Sequence, residues 1–256
     1  MKIRFLGTHN TASRNSRYTC FLVDETLAVD AGSIASALTF EEQAKIEAVL
    51  LSHGHYDHIR ELPALAFNTA SSGRVVKVFA TQGTLKIFAT HLADGQIYPE
   101  FIRGNSHFGK VLEIHEVQAL QPIMVTGYRI TAFSVPHPAS AVGYEISDGS
   151  RTLFYTGDSG PGLRSIWPDV SPNMLIAEMT FPNRLTEKAR ASGHLCPALL
   201  RDELDEFRSA KGYLPLVSLV HRSPEYEAEI ERDVRETFKE WQLDIRLSSE
   251  GDEVVV

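Results

Sequence analysis

His53-Gly54-His55-Tyr56-Asp57-His58 follows residues 46–51, an apolar run broken by one charge at Glu47 that reads as a buried strand. Three imidazoles and a carboxylate crowd the point where the backbone leaves that strand. In extended chain His53 and His55 project to the same side, whereas Asp57 and His58 come after the chain has begun to turn and can face a second point nearby. Imidazole nitrogen and carboxylate oxygen are ligands that a borderline ion such as zinc accepts. The simplest reading of the spacing is two ligands to one ion and two to a neighbour. A lone histidine beside a strand is ordinarily a satisfied surface or core residue. This cluster reads differently because the rest of the chain supplies the further ligands that such a site needs.

Upstream, residues 3–5, 20–23 and 27–29 read as short strands, with a polar loop at 8–18. The third strand ends at Asp30-Ala31-Gly32-Ser33. An aspartate there can cap the following helix, predicted over residues 33–44, or brace a ligand histidine from behind, and the two roles are compatible. Downstream the pattern predicts a helix at 62–67, a strand at 75–80 and a helix at 84–91. Residues 92–110 are aromatic and irregular and read as a surface excursion near the site, with His107 facing solvent. From 111 to 146 the chain reads as antiparallel strands at 111–114, 123–125, 128–135 and 141–146.

The third of these ends at Pro136-His137-Pro138, where prolines fix the backbone and prevent a continuing helix. A strand at 152–155 then delivers Thr156-Gly157-Asp158-Ser159-Gly160. Turn chemistry alone would justify that aspartate. Taken singly, His137 and Asp158 read as ordinary strand-end residues; beside the first motif they become candidate ligands.

The second half follows the same logic. A strand at 174–177 leads to Glu178-Met179-Thr180-Phe181-Pro182-Asn183, and residues 185–191 read as a helix. Ser192-Gly193-His194-Leu195-Cys196-Pro197 opens another helix through Phe207, and a strand at 214–220 ends in His221. A long charged helix at 224–241 and closing strands at 243–246 and 254–256 complete the chain. Helices among strands in both halves predict two αβ halves packed sheet on sheet.

The chain of 256 residues is long enough for one large domain or two small ones, and its 43% hydrophobic and 23% charged composition is that of a globular protein. A net charge of -8 without a dense Lys/Arg cluster disfavours large polyanions such as nucleic acid as partners, though not small anions, for which metal ions can supply the positive field. Two cysteines, Cys20 and Cys196, imply no disulfide framework and make a reducing cytoplasm the simplest compartment. The N-terminal residues enter a strand pattern at once, so no signal peptide is expected, and no apolar run approaches the roughly 18 residues of a membrane span.

The candidate ligands are then His53, His55, Asp57, His58, His137, Asp158 and His221, all at or just past strand ends. This set, and above all the His-x-His-x-Asp-His motif, resembles the metallo-β-lactamase superfamily over nearly the whole chain. The resemblance implies an α+β fold, a four-layer αβ/βα sandwich, as a single domain over residues 1–256. It implies one ion held by His53, His55 and His137, another held by Asp57, His58 and His221, and Asp158 bridging. Such a pair of divalent ions, zinc first and manganese or iron according to supply, lowers the pKa of water toward about 7 and neutralises charge on a phosphoryl group.

Within the superfamily, the Phe-Pro-Asn at 181–183 and the Ser-Gly-His-Leu-Cys-Pro at 192–197 resemble the class II cyclic-nucleotide phosphodiesterases. Cys196 there replaces a hydroxyl residue, and Arg222-Ser223 replaces a lysine-containing pair. The tRNA 3′-end endonucleases carry a comparable histidine after a Glu-x-Thr-Phe, and that resemblance implies that His194 protonates the leaving oxygen with Glu178 orienting it, so that Asp57, His194 and Glu178 are the candidate catalytic residues. The expected activity is metal-dependent hydrolysis of a small phosphodiester, a 3′,5′-cyclic nucleotide before others. One alternative is a tRNA 3′-processing endonuclease without its usual tRNA-gripping arm, since two strands fill the interval between His137 and Asp158 where that arm is inserted. Another is hydrolysis of an acyl ester or thioester. A homodimer is expected from the resemblance alone.

Overall fold

The computed structural model describes residues 1–104 and 107–256. In chain order the strands are β1 (Lys2–Gly7), β2 (Cys20–Val23), β3 (Leu27–Val29), β4 (Ala48–Leu50), β5 (Val76–Ala80), β6 (Leu112–Glu116), β7 (Ile123–Val125), β8 (Tyr128–Ser134), β9 (Val142–Ser147), β10 (Thr152–Tyr155), β11 (Met174–Glu178), β12 (Leu216–Val220), β13 (Ile245–Leu247) and β14 (Glu253–Val255). The helices are α1 (Phe40–Gln43), α2 (Tyr56–Ile59), α3 (Leu62–Thr69), α4 (Gln82–His91), α5 (Thr186–Ser192), α6 (Pro197–Lys211) and α7 (Glu227–Phe238).

The strands form two 7-stranded sheets, ordered β14-β1-β2-β3-β4-β5-β6 and β13-β12-β11-β10-β9-β8-β7. Each sheet is antiparallel in one half and parallel in the other: β3 through β6 run parallel, as do β10 through β13. Ile3, Phe5, Phe21 and Val29 from the first sheet meet Ile130, Tyr144, Ile146 and Tyr155 from the second in one buried layer. Each such side chain contributes about 1.5–3 kcal/mol when removed from water. A second layer packs α3 and α4 on the outer face of the first sheet, and a third packs α6 and α7, through Leu200, Leu204, Ile230 and Val234, on the outer face of the second. The result is the expected four-layer αβ/βα sandwich of two mixed sheets.

Three local expectations are corrected. The helix predicted over residues 33–44 shrinks to α1, which Thr39 starts with a capping box involving Glu42. Upstream of it the backbone is satisfied by side chains instead: Glu61 accepts from the amides of Ala35 and Ser36, and Gln43 donates to the carbonyls of Ala35 and Leu38. The first strand of the predicted antiparallel run, now β6, lies parallel to β5 in the other sheet, because the chain between them crosses over through α4. The last long helix ends at Phe238, with Trp241 folded back against it. Of the predicted excursion at 92–110, residues 105 and 106 lie outside the described residues; the described part has no helix or strand before β6, and His107 is exposed.

Candidate metal centre

The parallel strands point their C-terminal ends the same way, and the loops leaving them carry the candidate ligands. Leaving β4, the chain places His53 in the interior and His55 at the N-cap of α2, whose single turn carries Asp57 and His58. His137 follows β8, and Asp158 follows β10 through Gly157, whose φ of 60° and close approach to the Val142 carbonyl suit glycine. His221 follows β12 with φ 60°, a left-handed conformation that costs a non-glycine residue on the order of 1–3 kcal/mol. Glu178 ends β11, and His194 follows the left-handed Gly193 after α5. A Cβ on Gly193 would fall 2.4 Å from Pro138, so the glycine lets this loop close on His137.

All the sequence-predicted site residues thus meet at one end of the sandwich. His53, His55, His137 and Asp158 form one group whose ligand atoms lie within 4.8 Å of one another, and Asp57, His58, Asp158 and His221 form a second. Asp158 belongs to both. Its Oδ2 is 3.7 Å from His53 Nε2 and 3.3 Å from His221 Nε2, and its Oδ1 is 3.3 Å from His58 Nε2.

The outward nitrogens determine what the inward ones offer. Asp30 Oδ2 accepts from His58 Nδ1 at 2.7 Å, from Tyr155 Oη at 2.8 Å and from Ser52 Oγ at 2.9 Å, and Asp30 Oδ1 accepts from the Ser52 amide at 2.8 Å. Because Ser52 spends its hydroxyl proton on Asp30, it accepts from His53 Nδ1 at 3.0 Å. His137 Nδ1 donates to the Gly193 carbonyl at 3.0 Å. Thr180 Oγ1 donates to Glu178 Oε2 at 2.9 Å and accepts from His221 Nδ1 at 3.0 Å. In the neutral imidazoles of His53, His58, His137 and His221 the Nε2 atoms are therefore lone pairs turned inward.

Such an arrangement needs a cation. Among the described residues His53 Nε2, His58 Nε2 and Asp158 Oδ1 are buried without a hydrogen-bond partner. Lone pairs facing carboxylate oxygens in a dry interior are repulsive unless a positive ion lies between them. The protonation states agree. Burial pushes the imidazoles of His53, His55 and His137 below their usual range, toward the neutral form that ligates. Burial opposes the charge on Asp57 and Asp158, but the neighbouring histidines override it and hold both well below the usual carboxylate range. Burial likewise opposes a charged His58, and Asp158, Asp30 and Asp57 override it to raise that imidazole; a proton or a metal ion answers the same demand. The donor set of imidazoles and carboxylates suits zinc, with manganese or iron next.

Beside both groups sits a third. His194 Nδ1 is 2.8 Å from Glu178 Oε1, and its ring stacks on His221 at 5.6 Å and meets His137 at 5.2 Å. Glu178 is fully buried and is held by the amides of Thr180 and Leu195. Burial would lower the His194 pKa, but the charge and hydrogen bond of Glu178 push it up to about 9. With Nδ1 committed, Nε2 is the nitrogen left to work.

Asp30 does not cap a helix: its carboxylate is spent on Ser52, His58 and Tyr155, which makes it the brace of the site. Thr180, Ser52 and Tyr155 were missed in sequence. Their signal is position, since Ser52 directly precedes His53, Thr180 follows Glu178 by one turn of extended chain, and Tyr155 ends the strand that delivers Asp158.

Residues 27–206 match the family described as the beta-lactamase superfamily domain. The chain is similar to the probable metallo-hydrolase YhfI of Bacillus subtilis, 29% identical over 206 residues that cover 77% of each chain. It is similar to ribonuclease Z of Pyrobaculum calidifontis, 24% identical over 266 residues and 88% of each chain. Its structure resembles unliganded yeast PDE1 with a TM-score of 0.83 at 15% identity, covering 100% of this chain and 99% of that one, and YhfI with a TM-score of 0.78 at 19% identity, covering 99% and 98%. Among the described residues no helix is long and apolar enough to cross a membrane. With its family matched over most of its length and His/Asp groups fit for metal ions at the sheet ends, the chain belongs to the metallo-β-lactamase superfamily and is a metal-dependent hydrolase.

Proposed function

We propose that the chain is a dinuclear phosphodiesterase that hydrolyses a small phosphodiester, a 3′,5′-cyclic nucleotide before others. The observation that carries this reading is the Glu178–His194 pair set against the two ligand groups. His53, His55 and His137 would hold one zinc ion, Asp57, His58 and His221 the other, with Asp158 shared. When bound, the two ions supply an activated water and neutralise charge on the phosphoryl oxygens.

The protein's own residues do the rest. Asp30, Ser52, Thr180 and the Gly193 carbonyl hold the ligand imidazoles in the tautomer and orientation that present Nε2. Glu178 fixes Nδ1 of His194, so that a proton on Nε2 can pass to the leaving ester oxygen as the P–O bond breaks. A thioester releases a thiolate, which leaves more easily than an alkoxide and has less need of that acid, so the acid favours an oxygen ester. The names of the ribonuclease Z relative and the PDE1 neighbour fit this chemistry as well. Between His137 and Asp158 the chain contains only β9 and β10 with their turns, which favours a small substrate over a gripped tRNA.

The test is hydrolysis of cyclic AMP beside an unprocessed tRNA precursor by zinc-loaded protein at physiological salt. Opening of the cyclic ester without tRNA cleavage is the expected result. Cleavage of the tRNA alone would replace this reading with a ribonuclease.

A further inference from the structure

Next to the helical turn that carries Asp57 and His58 lies a cavity whose chemistry differs from the surroundings of His194. Tyr56, in the helical turn between His55 and Asp57, leaves 61% of its surface exposed. One turn on, the Arg60 guanidinium lies 6.0 Å from the centre of the Tyr56 ring and 5.0 Å from that of Tyr18. Tyr56 and Arg60 line a cavity of about 480 Å³ together with Ala64, Leu92, Ile97 and Tyr98. Ile97 is 68% exposed, and Ile87, 41% exposed, packs over Gly54 between the first two histidines. An aromatic ring left in water beside ligand residues, with a guanidinium next to its face and a second tyrosine in the same cavity, is the makeup of a stacking platform for a flat π system.

We propose that Tyr56, Arg60 and Tyr98 form a subsite for an aromatic ring of the substrate: the nucleobase of a cyclic nucleotide or, in an open diester, an aryl group on the arm that is not released. The inference rests on the diester reading and adds which substrates that site selects. The assignment of the arm follows from the elements: His194, which serves the leaving oxygen, comes from the second sheet, whereas Tyr56, Arg60 and Tyr98 come from the helices and loops of the first. With the leaving oxygen directed at His194, a ring carried on the rest of the substrate is left to reach the side that these helices and loops form. The cavity is large enough for a nucleobase, and Arg60 can stack on a ring or donate to its acceptors.

The experiment uses bis(4-nitrophenyl) phosphate and methyl 4-nitrophenyl phosphate, which release the same leaving group and differ only in the retained arm. The zinc-loaded wild-type protein should favour the aromatic arm in kcat/KM by at least about fivefold, the low end of a single aromatic stack. Tyr56→Ala should lower that ratio about fivefold or more, toward the value set by the two compounds' own reactivity, and Tyr56→Phe should keep most of it, with zinc content at the wild-type level in both. A ratio near one in the wild type, or one that Tyr56→Ala leaves unmoved, would overturn the subsite. Failure of the diester reading itself would appear differently, as no turnover of either compound. In that case the affinities of the zinc-loaded protein for phenylphosphonate and methylphosphonate, measured by calorimetry, still decide: a phenyl preference lost in Tyr56→Ala supports the platform, and equal affinities overturn it.

Discussion

Asp30 is the residue whose replacement reports most about the site without touching a ligand. Its carboxylate is fully buried and accepts from Ser52 N, Ser52 Oγ, His58 Nδ1 and Tyr155 Oη. Asp30→Ala would strand all of these donors at about 1–3 kcal/mol each, which approaches the whole stability of a domain, about 5–15 kcal/mol, so that variant should not fold. Asp30→Asn is the informative change. The side chain keeps its size and tolerates φ of 56°, a region where asparagine is common among non-glycine residues. Its carbonyl can still take the donors that meet at Oδ2, but its amide then faces the Ser52 N–H, donor against donor. One stranded donor costs about 1–3 kcal/mol, or a fall of roughly 2–12 °C in Tm for a chain of this size. His58 meanwhile loses the negative charge that fixes its tautomer, which should weaken zinc binding by about 10–100-fold. Thermal unfolding of the metal-free protein and a zinc competition titration measure the two effects separately. Wild-type zinc affinity in a folded Asp30→Asn variant would refute the view that this carboxylate orients the ligand.

Two further variants test other parts of the arrangement. His194→Ala should lower turnover about 10²–10⁴-fold, the usual worth of a general acid, and leave zinc content unchanged, as read by steady-state kinetics beside elemental analysis; loss of zinc would show that this imidazole is a ligand. Arg222 is 2% exposed and donates to the Leu219 and Ser248 carbonyls, to Thr8 and to Glu227, directly after the strained His221. Arg222→Met should cost about 2–5 kcal/mol in denaturant unfolding by stranding two buried carbonyls, with partial recovery in Arg222→Lys; an unchanged midpoint would contradict that role.

The meeting of the candidate ligands at one place was legible in the sequence because strand ends concentrate them: period-2 projection put His53 and His55 together, and proline or glycine neighbours flagged His137 and Asp158. Chemistry in such a site resides in residue type, and residue type is what a sequence displays. What supports the ligands was harder to read. Asp30 looked equally like a helix cap, since a carboxylate before a glycine turn carries no mark of a partner almost thirty residues on. Arg222 looked like a departure in a substrate tract, yet it is a buried clamp, because its burial depends on Thr8 and Ser248, which only tertiary folding brings near. The shortened α1 has a similar origin. Residues 33–38 have helical spacing, but Glu61 and Gln43 satisfy their backbone in another shape. Placing β6 in the antiparallel run failed because apolar strands look alike until their connections are known.

The central claim is a pair of ions shared through Asp158, and zinc stoichiometry tests it most directly. Protein purified with zinc and dialysed should carry close to two ions per chain by elemental analysis, and Asp57→Ala, which removes a private ligand of the second group, should carry close to one while unfolding cooperatively. A wild-type value of one or none would contradict the account, as would two ions retained by Asp57→Ala with undiminished affinity.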